Sequence, residues 1–185
     1  MRREWKIAMF AVVALTIGAI VAEPYARLAA PYYAFVARML AQGHPWEILD
    51  VMVGKDETGQ VTVARLDANV RRTRDDPDPA AIVNSGLRVG ALAQNPVIFW
   101  LVILLWSPRW RVLLVGIPVF LCLEACTTVC QLLNPLADAS AVLAGDPAPF
   151  TVWEGWSRFL EGGGRFALAL GAGLLTVGLA RRTRA

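Results

Sequence analysis

Two apolar runs separated by a short basic turn constrain this chain more than any other feature. Residues 89–106 are apolar apart from Gln94 and Asn95. As a helix they cover roughly 27 Å, close to the hydrocarbon thickness of a bilayer. Ser107, Pro108, Arg109, Trp110 and Arg111 supply the turn, with Trp106 and Trp110 suited to an interface. Residues 112–133 follow as about 33 Å of helix, with Glu124 their single charge. A short arginine-bearing loop between two spans is the cytoplasmic kind, and it orients the rest of the chain.

The composition agrees, with 56% of 185 residues hydrophobic and a mean hydropathy of +0.48. Two more spans are expected at 5–22 and 164–180. Alternating the loops gives four crossings with both termini cytoplasmic. The cytoplasmic segments then carry eight basic residues against Glu4, net +7, and the external ones ten basic and thirteen acidic, net −3. The pI of about 9.0 therefore follows from the positive-inside bias and implies no nucleic-acid partner. The exit of the first span, Ile20 to Glu23, lacks small residues at both cleavage positions, so an anchor is expected rather than a signal peptide. The expected fold is one α-helical membrane domain over 1–185, with four transmembrane helices, N-in and C-in. It carries a small external α+β lobe over 23–88 and an external loop over 134–163, in a bacterial inner membrane.

Within the lobe, Tyr25, Leu28, Tyr32, Phe35, Val36 and Met39 recur at helical steps, with Arg27 and Arg38 on the opposite stripe. This predicts a helix bent at Pro31, lying either on the outer membrane surface or against the lobe. Valine-rich runs at 47–53 and 60–66 flank a turn at 54–59, predicting a β-hairpin. A lone hairpin is marginal, so it is expected to lean on the amphipathic helix, on the membrane surface or on a third strand near 80–83. Residues 71–79 read as a charged, solvated loop. Phe150, Trp153, Trp156 and Phe159 predict a short interfacial helix, and Ala167/Gly171 and Ala169/Gly173 allow close helix approach in the last span.

Few residues can carry chemistry. Cys122, Cys126 and Cys130 lie four apart, too close along one helix for a disulfide framework, and read as packing residues. Cys130 is the most plausible nucleophile among them. His44 is the sole histidine, so no metal site and no cofactor are expected. Glu124, Thr128 and Gln131 share one stripe and form a possible polar site within the membrane. An acid at that depth should face the bundle and find a partner, either a basic one, for which Arg88 and Arg165 are the candidates, or hydrogen-bond donors to a neutral carboxyl.

At Asn84, Ser85, Gly86, Leu87 and Arg88, followed by a span, a Trp-Arg turn and another span, the chain resembles the exosortase/archaeosortase family of membrane cysteine transpeptidases. That family carries a Cys-Ser-Gly-Leu-Arg-like run at the outer end of a helix and an Asn-x-x-Arg run on the next. Here the nucleophile position is Asn84 and the arginine position is Thr127. The resemblance therefore implies a non-catalytic relative, an accessory or scaffold protein for exosortase-type sorting or envelope assembly. Its partners would be the lipid bilayer and another membrane protein. The alternative is a divergent cysteine transpeptidase using Cys130 or Cys126.

Reporter fusions at Ala185 and at Gly59 are expected to report opposite compartments. The same compartment for both would overturn the assigned orientation.

Overall fold

The computed structural model describes residues 2–55, 62–106, 109–145 and 152–182. The alanine-rich first fifth forms one helix, α1 (Arg2–Ala41), which continues through Pro24 and Pro31. The first apolar run and the lobe helix are thus one continuous helix, about 60 Å along its axis. Its buried face is not the stripe of large apolar residues, which is the outcome expected for a stripe turned to the membrane surface and not for one packed against the lobe. Leu28, Phe35 and Met39 are exposed, whereas Ala22, Ala26, Ala30, Ala34, Ala37, Ala41 and Tyr33 are buried. Alanine lets a neighbouring backbone approach closely, so a weakly hydrophobic stripe has become the packing seam.

Strands β1 (Trp46–Lys55), β2 (Thr62–Val70) and β3 (Ala81–Arg88) form an antiparallel sheet in that order. Of the supports expected for the hairpin, the third strand exists and is longer than its signal, pairing Leu66 with Ser85 and Asp67 with Asn84, and α1 packs on the sheet as well. On β2 the side chains of Ala64, Leu66, Ala68 and Val70 are fully buried at every second position, the strand period. Register shifts between Ile48 and Asp50, a β-bulge at Leu49. The hairpin tip expected at 54–59 lies largely outside the described residues. The 71–79 loop is tethered at its start, since the Arg71 amide donates to the Pro45 carbonyl (2.9 Å) and its guanidinium pairs with Glu47 (2.9 Å).

Beyond the sheet come α2 (Val89–Leu92), α3 (Gln94–Trp106) and α4 (Trp110–Glu124). A π-helical turn at Ala125–Val129 leads into α5 (Cys130–Leu143). Then α6 (Val152–Phe159) and a second π turn at Leu160–Gly164, bent at Gly163 (φ 105°), lead into α7 (Arg165–Arg182). Among the described residues, three helical stretches are long and apolar enough to cross a membrane: Val89–Trp106, Trp110–Leu143 and Val152–Ala180. The middle one continues past residue 133, and α6 docks on α5 while Trp153 meets Trp46 edge-on.

The core divides in two. One cluster joins α1, the sheet and α2 to Val129, Leu132, Leu133, Leu136 and Ala137. The other joins Phe99 and Ile103 of α3, Val112 and Leu123 of α4, and Ala169 and Val177 of α7. The small residues of α7 separate by face. A Cβ built on Gly173 would stand 2.9 Å from the Val102 side chain and 3.3 Å from the Phe99 carbonyl, whereas one on Gly171 meets nothing within 4 Å.

Gly173→Ala should therefore force α3 and α7 apart and destabilise the protein by about 1–3 kcal/mol. Gly171→Ala should be neutral or stabilising by up to roughly 1 kcal/mol through helix propensity. Thermal unfolding of the two variants in one detergent checks the contrast, and equal effects would refute this packing.

Candidate functional site

Between the two apolar clusters lies a polar layer. Along α4 and α5 the boundary falls between Leu123 and Val129, where Glu124, Thr127 and Thr128 are buried. Along α2 and α3 it falls between Ala93 and Phe99, where Asn95 is fully buried. A carboxyl group inside a bundle needs donors, because an unpaired polar group there costs several kcal/mol.

Glu124, at 1% exposure, finds one on α1. The Tyr33 hydroxyl donates to Glu124 Oε2 at 2.5 Å, and Thr128 Oγ1 donates to the same oxygen at 3.2 Å. The Tyr25 hydroxyl is 3.3 Å from that of Tyr33. Tyr33 has a single proton and directs it at the carboxyl, so Tyr25 is the donor of the second bond. Glu124 Oε1 has no partner that meets hydrogen-bond geometry, although the Asn95 amide and the Tyr25 hydroxyl stand close to the carboxyl. On the other side Asn95 Nδ2 donates to Thr127 Oγ1 (2.6 Å), which donates to the Leu123 carbonyl (2.7 Å).

The π turn explains further bonds. An inserted residue loosens the helix ladder, and side-chain donors take up carbonyls around it. Besides Thr127, the Tyr32 hydroxyl of α1 donates to the Leu121 carbonyl (2.5 Å), and the Trp156 indole of α6 donates to the Cys126 carbonyl (2.6 Å). Three elements are thereby fastened at one height of the bundle.

The sequence-derived candidates distribute unevenly over this site. Glu124, Thr128 and Gln131 are all buried as their shared stripe requires, with Gln131 Oε1 unpartnered. Of the two expectations for Glu124, the structure shows the hydrogen-bonded carboxyl and not the basic partner. Arg88 is exposed at the end of β3, and no ion pair joins Glu124 to any described residue. Arg165 is buried within electrostatic range of Glu124, but its hydrogen bond goes to the Ala91 carbonyl (2.9 Å). Hydroxyls, not guanidiniums, hold the carboxyl. Asn84, Ser85, Gly86, Leu87 and Arg88 all lie on β3 and not at a helix end, with Ser85 buried and Asn84 and Arg88 exposed. Asn84 on the sheet and Thr127 inside the bundle therefore do not share a site. Cys122 and Cys126 are exposed and Cys130 half-buried, so the cysteine stripe faces outward and does not pack in the core. No group of three or more metal-ligating side chains occurs among the described residues.

Sequence reasoning missed Tyr33, Tyr25, Asn95 and Arg165's carbonyl contact. Only Asn95 left a signal, as one of two polar residues in an apolar run. Comparison of the chain with protein-family models, curated proteins and solved structures finds no match.

Tyr33→Phe and Glu124→Leu should each destabilise the protein. Their effects should be less than additive, with a coupling of roughly 0.6–1.7 kcal/mol, the range of interhelical hydrogen bonds in membranes. A double-mutant cycle of unfolding in detergent reads this out, and strict additivity would mean that the two groups do not interact.

Proposed function

We propose that this chain is a non-catalytic integral membrane protein, an accessory or scaffold for exosortase-type protein sorting or envelope assembly. One observation carries the reading: Tyr33, Thr127, Thr128 and Trp156 direct their donors at Glu124 or at backbone carbonyls, and the Glu124 carboxyl is sealed away from solvent. Such an arrangement fixes a shape and offers no open reacting group. The sheet, anchored to both α1 and α5, would present a rigid surface to a partner. In this reading α1 adds a fourth crossing at 5–22, both termini are cytoplasmic, and the membrane is a bacterial inner membrane.

The alternative, a transpeptidase using Cys130 or Cys126, keeps a specific observation in its favour, since Cys126 is exposed. A thiolate nucleophile needs an activating base or cation beside it. His44 stacks on Trp46, whose indole bonds Ser140. Ser140 is ten residues beyond Cys130, about 15 Å of helix, so the histidine is poorly placed to serve.

Purification from native membranes under mild conditions is expected to recover a membrane sorting enzyme with this chain. Substituting serine at all three cysteines should leave that association and the processing of sorted proteins intact. Loss of processing from Cys130→Ser alone, at normal protein level, would favour the enzyme. An amino-terminal reporter in the compartment of Ala185 supports four crossings, and one in the opposite compartment supports three.

A further inference from the structure

Where α1 ends, the chain turns at Gly43 (φ 96°) into β1 and leaves a cleft of about 270 Å³. Arg38, Arg71, Arg74, His44, Trp46 and Glu47 line it. Three guanidinium groups thus meet one carboxylate. Arg71 is engaged by it, bonding Glu47 and the Asp76 carbonyl (3.0 Å), and beside this guanidinium the Glu47 carboxyl is held below the usual carboxylate range.

The other two arginines are not neutralised. Arg38 donates to the carbonyls of Ile48 (3.5 Å) and Leu49 (2.8 Å), which fix its position without cancelling its charge. Arg74 is exposed, and no ion pair joins either residue to a carboxylate among the described residues. The wall is rigid. His44 stacks on Trp46 with centroids 4.3 Å apart, Trp46 Nε1 donates to Ser140 Oγ (2.5 Å), and Trp153 closes on it edge-on.

We propose that this cleft binds a phosphate-bearing oxyanion between Arg38 and Arg74. The planar, permanently charged guanidinium matches phosphate oxygens in geometry and charge. The volume exceeds that of a monatomic anion and admits a phosphate with part of an ester. Ser140 lies 30 residues beyond Trp110, about 45 Å of helix against 40–45 Å for a bilayer with its headgroups. The cleft therefore stands at the level where a phospholipid headgroup and a soluble phosphate can both enter. It is separate from the buried polar layer and does not rest on the scaffold reading.

The full chain in detergent is titrated with inorganic phosphate, and with chloride at matched ionic strength, while thermal unfolding is followed. In parallel, it is reconstituted in nanodiscs of phosphatidylcholine with or without phosphatidylglycerol. Saturable stabilisation by phosphate beyond chloride is expected, weakened about tenfold or more in the Arg38→Gln, Arg74→Gln double variant. Arg65→Gln, which removes a β2 charge already paired with Asp67, should leave it unchanged. A response to phosphatidylglycerol alone assigns the site to a lipid headgroup, and a response to phosphate alone assigns it to a soluble ligand. If Arg38→Gln prevents folding, Arg74→Gln by itself should still weaken the response several-fold, because that side chain is exposed. No difference between phosphate and chloride together with none between the two nanodiscs overturns the proposal, as does wild-type binding by the variants.

Discussion

The bond from Tyr33 to Glu124 sets the height of α1 against the bundle. A carboxyl placed among apolar side chains loses its hydration, and it must recover donors from the protein or destabilise the fold. Thr128, one turn along the same helix, covers part of this requirement. The rest comes from α1, so α1 cannot slide along α4 without stranding the acid. The contacts on either side are consistent with a fixed crossing. Tyr25 meets Phe120, Tyr32 reaches the Leu121 carbonyl, and Tyr33 reaches Glu124. Eight residues of α1, about 12 Å, are matched to four of α4, about 6 Å.

That crossing carries the lobe with it. Beyond Tyr33 the same helix offers Ala34, Ala37 and Ala41 to the sheet, and Arg38 clamps the bulged part of β1 through the carbonyls of Ile48 and Leu49. From the far side α5 packs on β3 and holds Trp46 through Ser140. Because α1 and the α4–α5 helix each run from the bundle into the lobe, the sheet is not an independent module on a linker. Its cluster of buried residues includes side chains from α5 as well as from β1 and β2, with Val83 and Leu87 of β3 packed against it.

Much of this was legible from periodicity. The apolar runs, the inward stripe of Glu124, Thr128 and Gln131, and the three strands all follow from repeats of 3.6 or 2 residues. What was not legible depended on tertiary contact. On α1 the large apolar residues mark a stripe, yet the buried face is the alanine one, because close approach of the sheet favours small residues over hydrophobic ones. Tyr33 lies off the large-residue stripe and so gave no signal. The π turn at Ala125–Val129 has no glycine or proline inside it to announce it. The Ser85-Gly86-Leu87-Arg88 run suggested a helix end, but it precedes Val89 as the close of β3, where alternation buries Ser85 and turns Asn84 and Arg88 outward. For Glu124 the sequence left a basic partner and a hydrogen-bonded carboxyl equally open, and it named arginines but no hydroxyl donor from another helix. In the fold the nearest donors are hydroxyls, which cost less to bury than a second ion.

The position of the polar layer gives it a structural meaning. Above it and below it the packing is apolar, and apolar helix faces tolerate small axial shifts with little change in buried area. Hydrogen bonds do not, since a shift of one turn breaks each of them and leaves buried atoms unsatisfied. Glu124 fixes α1 to α4, Asn95 fixes α3 to the π turn through Thr127, Trp156 fixes α6 to it through the Cys126 carbonyl, and Arg165 fixes α7 to α2 through the Ala91 carbonyl. Each bond joins a different pair of elements, and three of the four converge on residues 124–127. The layer therefore selects one register for the whole bundle, a role for buried polar groups best established in helical assemblies. On this view the π turn and the buried acid are parts of one device, because the turn brings Thr127 and the Cys126 carbonyl to the level at which Glu124 must already be satisfied.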